Sequence, residues 1–356
     1  MVRRVMLLGF AAFALAAQAV GADLPPAPIS HAAMVRAAIE QYIVPHIDAL
    51  KAAAKPLPDA VANVCKSGSA EADKALEDQF AKIVIGYAGV DFLRFGPMLE
   101  NGRREQISFW PDPRGFVARQ LRLLLLSKDE AIAKPGAMAK QSAAVQGLPA
   151  LEALMHDKDV PLGPADAAHY RCIVAEAIAA NIVRLADEVA DEWEKPGGWS
   201  DKMLHPGPAN DTYKNESEAA VEVVKALIVG LSLTGDLQVK PHVDPKIRLA
   251  PPYAKSGLQA AFYEASIASL HQLYDTLQLE SWLPPDRFWM KDWVSGTWRT
   301  LESSDGAGGR SPYAKREDAP TAREVFDRTN GLRNMVANRL SVAAKLTVGF
   351  NELDGD

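Results

Sequence analysis

Glu152 is the side chain on which chemistry in this chain can be built. It lies in Gln146-Gly147-Leu148-Pro149-Ala150-Leu151-Glu152-Ala153-Leu154-Met155-His156. Val145, Leu148, Leu151, Glu152 and Met155 recur at spacings of three and four, so they share one helix face. Gly147 and Pro149 fall inside that pattern. Relative to alanine, an interior glycine costs about 1 kcal/mol and an interior proline about 3 kcal/mol. A helix therefore starts or kinks here, with Pro149 near its first turn and Glu152 one turn later. Glu152 is then the one carboxylate on an otherwise apolar segment. A buried carboxylate needs a cation or hydrogen-bond donors. Two readings are open: an acid at the rim of the core paired with an arginine, or an acid that meets a ligand. Structural ion pairs and functional sites both place acids this way. Under either one, Glu152 is out of bulk water and hydrogen-bonded or paired with an arginine, Arg114 first among them.

His156 follows Glu152 by four residues and shares its helix face, which makes the pair a weak candidate for metal ligation. The alternative is a histidine at a helix C-terminus, where a cation is favoured. His31, His46, His169, His205, His242 and His271 are scattered without ligand spacing. There is no His-Glu-x-x-His, nucleophile elbow or phosphate-binding glycine loop. In Trp110-Pro111-Asp112-Pro113-Arg114, Asp112 reads as an N-cap and Pro113 as the first helical residue. Trp110 and Arg114 stand where that loop meets the helix. The candidate ligand site is Glu152 with Gln146 nearby, Trp110 as a wall, and Arg114, Arg94 and Arg248 as cationic partners. Trp289 and Trp293 are four apart and read as core, with an aromatic platform for a ligand as the alternative.

The elements that must position these residues read as helices, and the fold class is all-α. Arg3 and Arg4, an uncharged apolar run and Val20-Gly21-Ala22 form a signal peptide over residues 1–22, with the mature chain starting near Asp23. Residues 23–30 are a proline-containing linker. Helices are expected over His31–Ala54, kinked at Pro45 and ended by Pro56 and Pro58, and over Ala70–Leu93. Further helices follow Asp112, run from Ala165 to Glu194, span 212–233 up to Gly235, and end the chain after the capping box Thr321–Glu324. The polar segment 196–211 divides two bundle-like halves, 31–195 and 212–356. The formal net charge is −6, and loss of the leader removes two more positive charges. Such an acidic, exported chain is a poor nucleic acid binder. No later run is long and apolar enough to span a bilayer. Cys65, placed in the loop before the second helix, and Cys172, near the start of the long helix, are the two cysteines. They are expected to pair in an oxidising compartment.

Four stretches in order carry a resemblance: Phe95-Gly96-Pro97, Trp110 to Arg114, Gln146 to Glu152, and the ending Gly349-Phe350-Asn351 to Asp354-Gly355-Asp356. Together they resemble the imelysin-like, iron-regulated exported proteins over nearly the whole mature chain. The resemblance implies two helical bundles packed side by side outside the cytoplasm and a link with iron uptake. Some members of that family are classed as metallopeptidases. The family's proposed metal motif is Gly-x-His-x-x-Glu. Here Gly147 and Glu152 keep their places, and Pro149 stands where the histidine would be. Iron or zinc is thus the implied metal, with neither expected to bind tightly. The leading expectation is a periplasmic, non-catalytic binding or accessory protein whose ligand or envelope partner is unknown. A metallopeptidase and a structural member of an envelope complex are the alternatives.

Overall fold

Proline and short polar caps punctuate the helices. The computed structural model describes residues 27–302 and 321–349. The leader, the loop Ser303–Ser311 and the ending after Gly349 lie outside the described residues. Helix α1 (His31–Ala37) starts at Ser30, whose hydroxyl accepts from the Ala33 amide. It runs through a π-type turn, Ala38–Ile43, into α2 (Val44–Ala54). Pro45 occupies the first turn of α2, so the wider turn just before it accommodates the missing amide donor. Pro56 and Pro58 do more than stop α2: a further helix, α3 (Leu57–Ser67), begins there with proline in its first turn. Cys65 is therefore on a helix, which corrects its expected loop position.

Ser69 caps α4 (Ala70–Ala88), with Glu71 and Asp73 in the first turn where the helix dipole favours acids. After the short α5 (Arg103–Ile107) comes α6 (Phe116–Ser127). The Asp112 carboxylate accepts from the amides of Phe116 and Val117 at 2.8 and 2.9 Å, so it caps α6 from four residues upstream. Next are α7 (Leu148–Met155), α8 (His169–Glu194) and α9 (Trp199–Leu204), the last within the expected connecting segment. Helix α10 (Glu216–Ser232) does not close at Gly235. It continues through a π-type turn, Leu233–Val239, into α11 (Lys240–Val243), which also takes His242 out of the expected loop. Then follow α12 (Gln259–Leu277), α13 (Trp289–Leu301), α14 (Ala322–Met335), a π-type turn and α15 (Ser341–Ala343). Thr321 caps α14 by accepting from the Glu324 amide at 3.1 Å. Among the described residues there is no strand, and the fold is all-α.

Helix α8 packs on α2, α3 and α7. Helices α10 and α11 pack on α14, which also meets α13. Helix α1 lies on α10, and α4 lies on α12. A single cluster of buried apolar side chains runs through all of these contacts. The crossing of α10 with α12 requires Gly230, where a Cβ would come within 2.2 Å of Leu270 and 3.0 Å of Phe92. Cys65 on α3 and Cys172 on α8 form a disulfide with Cα atoms 5.7 Å apart. Trp298 is fully buried, whereas Trp289, expected in the core, is 58% exposed. Its neighbour four residues on, Trp293, packs at the edge of the core. No described helix is long and apolar enough to cross a membrane.

Candidate functional site

The local structure around Glu152 follows from Gly147. A Cβ on this residue would lie 2.1 Å from the Ile107 carbonyl oxygen and 2.2 Å from that of Gln106. Only glycine lets the start of α7 rest on the last backbone turn of α5. Gly147 then accepts from the Ala150 and Leu151 amides, Pro149 sits in the first turn, and Glu152 comes one turn later on the buried face. Glu152 is 6% exposed. Its Oε1 accepts from the Ser256 amide at 2.9 Å and from the Ser256 hydroxyl at 2.7 Å. The acid is thus satisfied by charge-assisted hydrogen bonds across 104 residues of sequence, from the first half to the second.

This bond corrects the expected Arg114 pair. Arg114 is exposed, held in the turn between Asp112 and Gly115 that precedes α6. Ser256 reaches Glu152 because the chain turns sharply around it. Tyr253 adopts a left-handed φ of 54°, and the Leu258 amide donates to the Tyr253 carbonyl.

A cavity of about 220 Å³ opens beside Glu152. Its walls are Phe109 and Trp110, Val117 of α6, Pro149 and Ala153 of α7, and the segment Leu249–Lys255. Trp110 donates its indole N–H to the Ala250 carbonyl at 3.1 Å, joining the loop before α6 to that segment. Two lining carboxylates are engaged internally, Asp112 by the α6 amides and Glu152 by Ser256. The remaining charged lining group, Lys255, is exposed and makes no ion pair among the described residues.

Behind the cavity lies a buried polar layer. The Tyr253 hydroxyl is 2.9 Å from the Ser108 hydroxyl, and the Tyr87 hydroxyl donates to Asp91 at 2.7 Å. Burial, with the Asp91 carboxylate adding to it, pushes the Tyr87 phenol well above its ordinary range. Tyr253 is raised likewise, chiefly by burial; the Ser108 bond opposes this, while Asp91 and Glu152 reinforce it. Burial works against the charge of Arg104, but Tyr87, Asp91 and the ion-paired Glu105 outweigh it and raise its pKa. These tyrosines stay protonated at neutral pH and serve as hydrogen-bonding groups.

The other expected site residues disperse. Gln146 is buried away from the cavity, its carboxamide donating to the Gln141 carbonyl at 2.7 Å and its own carbonyl accepting from Asn181 at 3.0 Å. Arg248 is exposed and immediately precedes the lining segment. Arg94 lines a different cleft. His156 caps the C-terminus of α7, and its Nε2 is buried without a hydrogen-bond partner. Among the described residues no three His, Cys, Asp or Glu side chains converge on a point. Proline faces the cavity at the place of the motif histidine, and Glu152 is already bonded. The residues present do not fit a tightly held metal ion, which needs at least three such donors. Sequence reasoning missed Ser256, Tyr253, Ser108 and Lys255. For Tyr253, Lys255 and Ser256 the signal was a Pro-Pro-Tyr…Ser-Gly turn, which carries no periodicity that would tie it to α7, and Ser108 follows α5 with no motif of its own.

The site belongs to a class: an all-α protein with an apolar cavity where the loop before α6 and the segment Leu249–Lys255 meet α6 and α7. The Imelysin family profile (Peptidase_M75) matches residues 42–283, and the chain belongs to that family. An imelysin-like protein from Psychrobacter arcticum 273-4 shares the fold with a TM-score of 0.72 at 18% identity, over 92% of this chain and 100% of that one. A putative iron-regulated protein A precursor from Parabacteroides distasonis ATCC 8503 does so with a TM-score of 0.69 at 12% identity, over 91% and 96%. No curated protein matches.

Proposed function

We propose that this protein is an exported, non-catalytic binding protein of the imelysin family that serves iron acquisition at the cell envelope, with its ligand in the cavity beside Glu152. One observation carries this reading. The cavity joins apolar and aromatic walls to a carboxylate whose Oε1 already takes two bonds from Ser256, with Pro149 in place of a metal donor. Such a wall recognises a ligand by shape and apolar contact. It offers no activated nucleophile, and Glu152 is tied as an acceptor. The signal peptide expected over residues 1–22 and the Cys65–Cys172 disulfide support export, since such bonds persist in oxidising compartments. The name of the Parabacteroides relative supports the iron connection.

The test is native mass spectrometry on protein purified from the envelope fraction of iron-starved cells, with metal analysis after dialysis. A small organic ligand should co-purify at one per chain and be lost from Ala153→Trp, which plugs the cavity. A stoichiometric metal ion lost on Glu152→Ala, together with peptide hydrolysis, would overturn the reading in favour of a metallopeptidase.

A further inference from the structure

Helix α6 has two faces, and packing accounts for only one of them. Val117 and Leu121 are buried in the core. On the opposite side stand Arg119, Arg122, Leu123 and Leu126, at positions i, i+3, i+4 and i+7, so they form one stripe. All four are exposed, Leu123 to 56% and Leu126 to 67%. Leu126 is the most open large apolar side chain among the described residues, and no other two of that kind lie within a helical turn in the chain. Neither leucine borders the cavity beside Glu152 or the cleft where α6 ends, so both protrude rather than line a recess. The Arg119 guanidinium carbon lies 4.4 Å from the centre of the Phe116 ring. Among the described residues neither Arg119 nor Arg122 forms an ion pair. Arg114 precedes the helix and Lys128 follows it, both exposed, and Lys134 and Lys140 border the cleft at its end. The acids of this stretch are Asp112, bound to the α6 amides, Asp129, bound to the Ala131 amide, and Glu130. Residues 112–140 therefore carry net positive charge in a chain whose net charge is −6.

Single exposed leucines are common and need no explanation. Two in line, flanked by arginines with no acid between them, match a surface that is negative outside and apolar beneath. We infer that this face of α6 docks on an anionic phospholipid bilayer. Leu123 and Leu126 enter the acyl boundary, and Arg119 and Arg122 bind lipid phosphates, which a guanidinium fork fits. A second copy of the chain does not fit. Two-fold pairing of the face would set four guanidiniums together without an acid to separate them. An acidic protein would answer the arginines, but it would need a matching recess for two protruding leucines, whereas a bilayer yields to them. The inference goes beyond the ligand reading above and does not depend on what occupies the cavity.

The test is flotation of the full mature chain with vesicles of phosphatidylcholine, alone or mixed in equal parts with phosphatidylglycerol, at low and high salt. The chain should float with the anionic vesicles only, and salt should weaken binding by screening. Arg119→Gln and Arg122→Gln should each lower the partition coefficient about fivefold. Leu123→Asn and Leu126→Asn should each lower it about tenfold, because a leucine no longer leaves water. All four side chains are exposed, so these variants should keep the parent's urea midpoint. Val342→Asn, at a residue 64% exposed elsewhere on the molecule, should float as the parent does. So should Ala153→Trp, which separates this face from the ligand cavity. Failure to float with anionic vesicles, equal binding to phosphatidylcholine alone, or no loss in the Leu123→Asn, Leu126→Asn double variant would overturn the inference. Soluble polyglutamate bound as strongly as the vesicles would overturn it in favour of an acidic protein. A dimer in sedimentation that Leu126→Asn dissolves would overturn it in favour of a second copy.

Discussion

Gly147→Ala tests the packing that builds the cavity. The added methyl carbon would sit 2.1 and 2.2 Å from two backbone carbonyl oxygens, Ile107 and Gln106, and 2.6 Å from the Ile107 carbonyl carbon. Ordinary contact begins at about 3.4 Å, so the start of α7 must withdraw by more than 1 Å from the end of α5. Backbone is on both sides, and no rotamer change relieves the clash. Overpacking of this kind costs about 1–3 kcal/mol and occasionally more; with two carbonyls struck at once, the upper end or beyond is expected. The shift also carries Glu152 away from Ser256, which adds about 1–3 kcal/mol if the carboxylate loses its donors. Urea unfolding should therefore give a loss of about 3 kcal/mol or more. Gly207→Ala is the control, since a Cβ there has nothing within 4 Å, and it should stay within about 0.5 kcal/mol of the parent. If Gly147→Ala unfolds within 1 kcal/mol of the parent, as with other neutral substitutions, the close approach of α7 to residues 106 and 107 is wrong.

Reduction of Cys65–Cys172, whose partners are 107 residues apart, should lower stability by about 4 to 5 kcal/mol on the chain-entropy model; an unmoved urea midpoint in reductant would refute it. Pro149→His restores the histidine of the family motif but provides only two donors with Glu152. Zinc retained after dialysis should therefore stay below one equivalent, and a full equivalent by metal analysis would show a hidden third ligand. His46 stacks on Tyr42 at 4.0 Å; burial lowers its pKa from the usual 6.5, and a bond to the Tyr42 carbonyl opposes that. The unfolded chain binds this proton more readily than the folded one. Its contribution to stability is thus complete above about pH 6.5 and declines as pH falls from there to the lowered folded value. His46→Gln should flatten that part of the urea-midpoint profile, and an identical profile would refute the assignment.

Periodicity made α7, α8, α10 and α12 legible because each buries one stripe along its length. It also put Glu152 on the buried face of α7. What it could not convey was partnership at long range. Arg114 is near Glu152 in pattern but sits outside α6, while the true donor lies in a turn whose left-handed Tyr253 leaves no repeat in the sequence. Prolines misled in one direction. Pro56 and Pro58 stop α2, yet a proline in a first turn also starts a helix, and α3 went unseen for that reason. Gly235 misled in the other: α10 runs through it as a π-type turn, since a helical neighbour, α14, packs against that stretch.

The fate of Glu152 explains how the motif's acid can persist without its histidine. A carboxylate at 6% exposure without donors would leave a buried charge unpaired, at a cost of several kcal/mol. Ser256 removes that cost with one amide and one hydroxyl on the same oxygen. The two donors come from the second half of the chain, so the acid now ties α7 to the segment that walls the cavity. Trp110 makes a parallel tie through Ala250 to the same segment. With both ends of that segment fastened, the wall of the cavity is held in place. Pro149 contributes in the same sense, because its fixed φ holds the first turn of α7 while its ring becomes wall. Acid, serine and proline together hold the first turn of α7 and the segment Leu249–Lys255 as fixed walls of one apolar cavity.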